Sequence, residues 1–365
     1  MIEMLNMEDL LHFMVDRECT DIHLCAGRKP HVRIFGELHE TELEALKPDC
    51  IRTLVFSILN DGQIKILEQN KELDFSFMLS EVCRCRVNVY VQRGTLAMVI
   101  RAIPFKVGDF EELGIPDIAK NIITKRNGLV LVTGAQGAGK TTTLASMIDY
   151  INRTVKAHVI TIEDPVEYLH RSKKSIINQR EIGSDTRSYK NAMRYILRQD
   201  PDVCVIGEIR DMESVQTALT LAEAGVLVLT SLHSPTAPKA VSRVIDMFSP
   251  DYQYQVRLQL SLTLRAIFSQ QLVPMKDKKG RVLACEIMTM TSAIEHMIRN
   301  STVRQINSVL QTSKDKGMQT MDQSLFDLYS KDLISEEELM KRAVDIDQME
   351  KWLGTYHNKV TGVER

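Results

Sequence analysis

Little in this sequence would place it in a membrane, outside the cell or on nucleic acid. No apolar run in its 365 residues approaches the ~18 that a spanning helix requires. The opening stretch, Met1-Ile-Glu-Met-Leu-Asn-Met-Glu-Asp-Leu10, carries acids where an export signal carries bases. A cytoplasmic protein is expected, touching a membrane only through partners. Aromatics make up only 5% of the chain, with Trp352 the single tryptophan, and the formal net charge is −2. Neither supplies the stacking platforms or the basic surface of a dedicated nucleic-acid binder. The seven cysteines, Cys19, Cys25, Cys50, Cys83, Cys85, Cys204 and Cys285, are odd in number, scattered, and form no Cys-x-x-Cys. Free thiols in a reducing compartment fit that pattern better than disulfides or structural zinc. Cys83 and Cys85 read as one face of a strand. Internal repeats and low-complexity segments are also lacking.

What is present describes an ordinary globular chain, 44% hydrophobic and 26% charged, long enough for two domains. Residues 1–102 mix short alternating strands with helix. Asp21–Leu24, His31–Phe35, Glu72–Met78, Cys83–Gln92 and Leu96–Arg101 read as strands, Leu10–Val15 as helical, and Ile51–Leu67 as one amphipathic helix. A small α+β module with an antiparallel sheet is expected. Proline and glycine punctuate 103–116 as a linker. From 117 to about 290 strands alternate with helices: strands at 128–133, 158–162, 202–207 and 225–231, helices at 140–152, 187–198 and 211–224. That order predicts an α/β domain with a mostly parallel sheet and ligands at the carboxyl ends of its strands. Helical spacing follows at 251–266, a hairpin is expected around Pro274–Gly280, and residues 291–365 form a helical C-terminal region.

The most informative segment is Leu129-Val-Leu-Val-Thr-Gly-Ala-Gln-Gly-Ala-Gly-Lys-Thr141, an apolar β run opening into G-x-x-x-x-G-K-[ST]. Its loop, Gly134, Ala135, Gln136, Gly137, Ala138, Gly139, Lys140, Thr141 and Thr142, is the expected nucleotide site. Glycines let successive backbone N–H groups converge on phosphates, and a helix starting near Lys140 adds its positive end. Lys140 supplies a point charge for the β/γ oxygens, and the Thr141 hydroxyl is placed to ligate Mg²⁺. An ordinary glycine turn is the alternative; the strand before and the helix formers after it favour the phosphate reading.

Three later strands end in chemistry. His158–Ile162 runs into Glu163, Asp164 and Glu167. Glu163 is the candidate to orient or deprotonate an attacking water, against the alternative of helix-capping acids. Asp202–Gly207 runs into Glu208 and Arg210, an apolar run ending in an acid suited to hold Mg²⁺ through its water shell. Leu227–Leu232 ends at His233, a candidate reporter of the γ-phosphate or an ordinary structural histidine. Arg194, Arg198 and Arg210 flank the acid strand; Arg86 and Arg101 lie on paired strands of the small module. Guanidinium forks match phosphate oxygens, although surface arginines are the common case.

Together these pieces resemble the secretion ATPases of the type II and type IV pilus class. The resemblance runs from Thr20-Asp-Ile-His-Leu24 to the C-terminal helices. It rests on the phosphate loop, Thr161–Tyr168, Leu197–Asp211 and Thr230–Ser234, with Arg84–Asn88 and Leu264–Leu272 as further family segments. It implies a PAS-like N-terminal domain, a RecA-like ATPase domain and a ring of six chains using ATP and Mg²⁺. By the same resemblance Glu163 is the catalytic acid, Glu208 the acid that holds Mg²⁺ through water, and His233 the phosphate sensor. Arg86, Arg101, Arg194, Arg198 and Arg210 then match arginines that reach nucleotide. Ala135-Gln136 and Ala224-Gly225-Val226 depart from the family pattern, the second removing one family histidine. A zinc-binding tetracysteine and a longer N-terminal extension are missing, which favours pilus retraction, with twitching motility as its outcome and an inner-membrane platform protein and pilin machinery as partners. The alternatives are an export or assembly ATPase of the class, a RecA-like DNA translocase, and a ring subunit that binds nucleotide without cleaving it.

Overall fold

Residues that alternate between buried and outward positions build an antiparallel sheet in the first part of the chain. The computed structural model describes residues 6–17, 19–34, 37–79, 83–103, 107–277 and 280–361. Phe35, residues 104–106 of the expected linker, 278–279 of the expected hairpin and both extreme termini lie outside them. The chain divides into two compact units, Met1–Lys106 with Glu167–Leu169, and Val107–Val166 with His170–Arg365.

The sheet of the first unit contains β1 (Asp21–Cys25), β2 (His31–Ile34), β3 (Glu37–Glu40), β4 (Glu72–Leu79), β5 (Cys83–Gln92) and β6 (Thr95–Ile103) in the order β3-β2-β1-β6-β5-β4. β5 buries Cys85, Val87 and Val89 at the two-residue spacing of one strand face. With Ile22, Leu24, Met98 and Ile100 these meet Leu10, Leu11 and Met14 of α1 (Met7–Asp16), Ile51, Leu54 and Val55 of α2 (Pro48–Phe56), and Leu67 of α3 (Asp61–Asn70). The single helix expected over Ile51–Leu67 is therefore two. Asn60 starts the second with a reciprocal cap: its side chain accepts the Gln63 N–H at 2.9 Å, and the Gln63 side chain accepts the Asn60 N–H at 3.0 Å. β3 has four exposed residues, so no alternation announced it.

The second unit holds β7 (Gly128–Gly134), β8 (His158–Glu163), β9 (Ile176–Glu181), β10 (Val203–Ile206), β11 (Leu227–Leu232), β12 (Leu264–Pro274) and β13 (Arg281–Thr289), ordered β13-β12-β7-β11-β10-β8-β9. All neighbours are parallel except β12 and β13. Every residue of β7, β10 and β11 is buried, as a sheet covered on both faces requires.

Leu129 and Leu131 face one core and Val130 and Val132 the other. Helices α4 (Phe110–Leu113), α5 (Ile118–Ile123) and α6 (Lys140–Thr154) supply the second core. Helices α7 (Tyr189–Ile196), α8 (Met212–Glu223), α9 (Ala237–Asp246) and α10 (Pro250–Thr263) supply the first. This is the mostly parallel α/β arrangement expected of a RecA-like unit. Beyond α11 (Ser292–Arg299) and α12 (Ile306–Thr312), helices α13 (Met321–Ser330), α14 (Glu336–Arg342) and α15 (Ile346–Thr361) pack Leu325, Leu339, Met349 and Leu353 against Val273 and Ala284 of the last hairpin.

Two further expectations change. The helix read as 251–266 stops at Thr263, and the hairpin read around Pro274–Gly280 has arms of eleven and nine residues that extend the main sheet. β9 is a polar edge strand that sequence reading left out.

His170 in this unit is mostly buried, and its backbone N–H donates to Gln179 Oε1 at 2.8 Å. Burial pushes its imidazole pKa down from 6.5 to about 4, with Asp149 opposing and Lys173 assisting. Between those values the unfolded chain binds the proton more readily. The stabilisation from neutral His170 is thus complete above the unfolded pKa and is lost as pH falls toward 4. Lowering pH from about 7 to about 5 should cost about 1–2 kcal/mol in denaturant unfolding of this unit, and His170→Gln should flatten that dependence. An equally steep dependence in the variant would exclude His170 as its source.

Candidate functional site

The site is assembled at the carboxyl edge of the parallel sheet, where β7, β8, β10 and β11 stop side by side. The loop after β7 turns on glycines, of which Gly134 has no room for a side chain. Gly134 has φ +149°, and a Cβ there would sit 2.6 Å from Gln270 O and 2.9 Å from Ala138 Cβ. Gly139, at φ +85°, is the N-cap residue of α6. Ala135, Gln136 and Gly137 are exposed, Ala138 is buried, and Thr141 and Thr142 begin the helix half-buried. The turn thus runs directly into the N-terminus of α6, whose first N–H groups have no partner within the helix.

Lys140 is buried, and its ammonium donates to Gly134 O at 3.1 Å and Ala135 O at 2.9 Å. It also lies 3.3 Å from His233 Nδ1, while His233 Nε2 lies 2.7 Å from Glu208 Oε1. An ammonium only donates, so Nδ1 accepts and the ring proton sits on Nε2, directed at the carboxylate. Arg210 Nε holds the other oxygen, Glu208 Oε2, at 2.9 Å. Lys140, His233, Glu208 and Arg210 thus form one continuous polar chain. Its backbone is pinned: Gly207 N–H donates to Ile162 O at 2.9 Å, Ile209 N–H to Ser231 O at 2.9 Å, and the Ser231 hydroxyl to Gly207 O at 2.7 Å. Arg243 Nη1 donates to His233 O at 2.7 Å.

Glu163 ends β8 beside this chain. Its Oε1 accepts the Thr161 hydroxyl at 2.6 Å and the Gln179 amide at 3.3 Å. Tyr189 joins it, since a Cβ built on Gly207 would meet the Tyr189 hydroxyl at 3.5 Å and Glu163 Cα at 3.6 Å. Burial first and then Asp164 push the Tyr189 phenol far above its usual range, with Arg210 opposing and Glu163 and Glu208 adding, so it stays protonated.

Not every anticipated residue is in the cluster. Arg194 and Arg198 are exposed, and among the described residues neither is hydrogen-bonded to it; the Arg194 guanidinium lies 5.8 Å from the centre of the Tyr195 ring. Arg86 and Arg101 belong to the first unit, directly opposite each other on β5 and β6 and both exposed. Arg101 Nε also holds buried Asp21 at 2.7 Å. Tyr189, Gln179 and Arg243 are not among the expected site residues. They reach the site only through strand order and helix placement, and no local pattern marks them.

A triphosphate suits this edge, which offers backbone N–H groups, a helix N-terminus and a buried ammonium. Among the described residues no three His, Cys, Asp or Glu side chains are grouped to hold a metal. A divalent ion here would rely on phosphate oxygens, Thr141 and water, with Glu208, already shared between two donors, suited to the water shell.

Residues 58–341 match the family described as "Type II/IV secretion system protein". The chain is 43% identical over 93% of its length to the type IV pilus retraction ATPase PilT of Pseudomonas aeruginosa, covering 98% of that protein. It is 46% identical to a twitching motility protein of Neisseria gonorrhoeae, covering 88% of this chain and 86% of that one. The crystal structure of the pilus retraction motor PilT with bound ADP superposes with TM-score 0.89 at 42% identity, covering 95% of this chain and 99% of that one.

Gly134→Ala should weaken binding of a fluorescent ADP analogue by about tenfold or more, because the added methyl meets Gln270 O at a φ that side chains disfavour. The far-UV circular dichroism should not change. Undiminished affinity would mean that the loop does not grip phosphate through this turn.

Proposed function

The chain belongs to the type II/IV secretion system protein family, and we propose that within it the protein is an ATP-hydrolysing motor that drives retraction of type IV pili. The observation that carries this reading is the Lys140–His233–Glu208 chain closing over a glycine loop. It is supported by likeness to pilus retraction ATPases along nearly the whole sequence.

In this reading the N–H groups of Gly134–Thr142 take the β- and γ-phosphates. The Lys140 ammonium exchanges the carbonyls of Gly134 and Ala135 for phosphate oxygens, which bear full charge and bind it more strongly. Thr141, and Glu208 through water, would hold Mg²⁺, which when bound neutralises phosphate charge. Glu163, fixed by Thr161 and Gln179, orients a water on the γ-phosphorus. The water oxygen bonds to phosphorus, the bond to the ADP oxygen breaks, and the water's proton passes to the Glu163 carboxylate.

His233 Nε2–H donates to the Glu208 carboxylate, and its Nδ1 accepts from Lys140. It therefore reports the phosphate through its contact with Lys140 rather than by donating to it. Arg86 and Arg101 act on the terminal phosphate, with Arg210 bracing Glu208. Arg194 and Arg198 act on the nucleotide of a neighbouring chain in a ring of six. Loss of the γ-phosphate frees these guanidinium groups, and that release is the power step. The ring works in the cytoplasm at the inner face of the cytoplasmic membrane, against an inner-membrane platform protein of the pilus machinery. Retraction and assembly motors differ in direction: loss of the gene should leave excess immobile pili if the motor retracts, and bald cells if it assembles.

Glu163→Gln should keep ATP affinity while lowering turnover by about a hundredfold or more in a phosphate-release assay. Near-normal turnover would remove Glu163 as the base. Arg101→Ala would also remove the shorter of the two ion pairs of buried Asp21, so Arg86→Ala is the cleaner test on the first unit. Its kcat should fall by about tenfold or more with ADP affinity held within about twofold; an unchanged kcat takes Arg86 out of the site.

A further inference from the structure

A second recess, sharing no residue with the phosphate site, lies on the second unit. It has a volume of about 370 Å³ and is walled by α9, α10 and the segment after α11. Ser242 and Asp246 line it from α9, Gln253 and Arg257 from α10, and Thr302 and Arg304 from the third wall. Two of these are committed to the wall itself: the Gln253 amide donates to Phe248 O at 3.1 Å and the Thr302 hydroxyl to Met297 O at 3.4 Å.

The arginines are not committed. Arg257 Nε is buried with no acceptor among the described residues, and neither Arg257 nor Arg304 is in an ion pair among them. Nε lies within the wall, but Arg257 is half-buried and lines the recess beside exposed Arg304, so two guanidinium groups without carboxylate partners among the described residues border one opening.

We propose that this recess receives a carboxylate-bearing segment of a partner protein, anchored by Arg257 and Arg304. Guanidinium forks match carboxylates in two-point geometry, and hydroxyls beside them can complete the acceptor's bonds. Other anions fit less well. Among the described residues no aromatic side chain lines the walls to stack a base. Two arginines with Asp246 at the rim fall short of the cluster of basic residues that holds anionic lipid. The turn leading into α12 borders the recess, but among the described residues no glycine lines it to make a converging phosphate loop, and competition with phosphate separates the two anions.

The test uses the full chain and a fluorescein-labelled hexaglutamate peptide, read by fluorescence anisotropy at low salt. Saturable binding is expected, weakened by about tenfold or more in Arg304→Ala and again in Arg257→Gln. A hexalysine peptide should not bind, and inorganic phosphate at matched charge should not displace hexaglutamate. Arg304 is exposed, so its replacement should leave both fold and ATP turnover unchanged. That separates failure of this proposal from failure of the motor reading. Equal hexaglutamate binding by wild type and Arg304→Ala overturns the proposal, as does no binding at all. Displacement by phosphate would make the recess a phosphate site instead. Arginine-dependent binding of phosphatidylserine vesicles would make it a lipid site.

Discussion

Chemistry at the phosphate site depends on four parallel strands ending in register. Leu131 of β7 pairs with Thr230 of β11, Thr230 with Ile206 of β10, and Ile206 with Ile162 of β8. The residues that follow, Gly134, His233, Glu208 and Glu163, therefore emerge along one edge, although nearly a hundred positions separate the first from the second. The register is held because alternate residues of each strand are committed to opposite cores. A slip by one position would exchange every side chain between those cores, which the tight packing around Leu131, Val132, Cys204 and Val205 does not allow.

That edge then has to accommodate charge. Lys140 is a buried ammonium, tolerable only because carbonyls and an imidazole nitrogen accept from it. His233 passes the polarity on to Glu208, and Glu208 to Arg210, so cation, neutral ring, anion and cation alternate. In such a chain removal of one member strands its neighbours, and substitutions along it will not be additive. The first unit repeats the logic on a smaller scale. Asp21 is buried and relies on Arg101 at 2.7 Å, with Arg33 further off at 3.8 Å, which ties Arg101 to folding as well as to any role at phosphate. Arg86, directly across the strand pair, is exposed and among the described residues is in no ion pair.

What could be read from the sequence was what a single segment encodes. The glycine loop, the acids closing β8 and β10, and the histidine closing β11 all announce themselves as an apolar run followed by a chemical residue. The tautomer of His233 could not be read, because it follows from Lys140 and Glu208 meeting the two ring nitrogens from different elements. Tyr189 lies beside Glu163 only because β8 and β10 are neighbours, and a tyrosine opening a helix gives no hint of that. Other misses were local. Val256, Leu260 and Leu264 keep helical spacing across the point where α10 gives way to β12, and no glycine or proline marks the change. The Asn60–Gln63 cap was present in the sequence but hidden under the continued spacing of Ile64 and Leu67. β9 escaped notice because Asn178, Gln179, Arg180 and Glu181 are polar, yet its side chains brace the acid segment: Gln179 holds Glu163, and Glu181 Oε2 accepts the Val166 N–H at 3.0 Å.

Helix α9 links the two sites of the second unit. Near its C-terminal end Arg243 fixes the His233 carbonyl, while Ser242 and Asp246 form one wall of the arginine recess. Its N-terminal end is equally restrained, with the Thr236 side chain accepting the Lys239 N–H and Ala237 N–H donating to buried Glu286 at 2.7 Å. Burial raises the Glu286 carboxyl above its usual range, against the hydrogen bonds from Ala237 and Met321, so this anchor is firmest when the carboxylate is charged. This ten-residue helix is thus capped at its start and hydrogen-bonded to the His233 segment near its end. If Lys140 exchanges loop carbonyls for phosphate as proposed, a resulting shift of His233 would reach this wall of the recess through Arg243. A partner gripped there would feel the state of the phosphate site without contacting nucleotide, which is the arrangement a motor needs if force is to be delivered away from the bond it breaks.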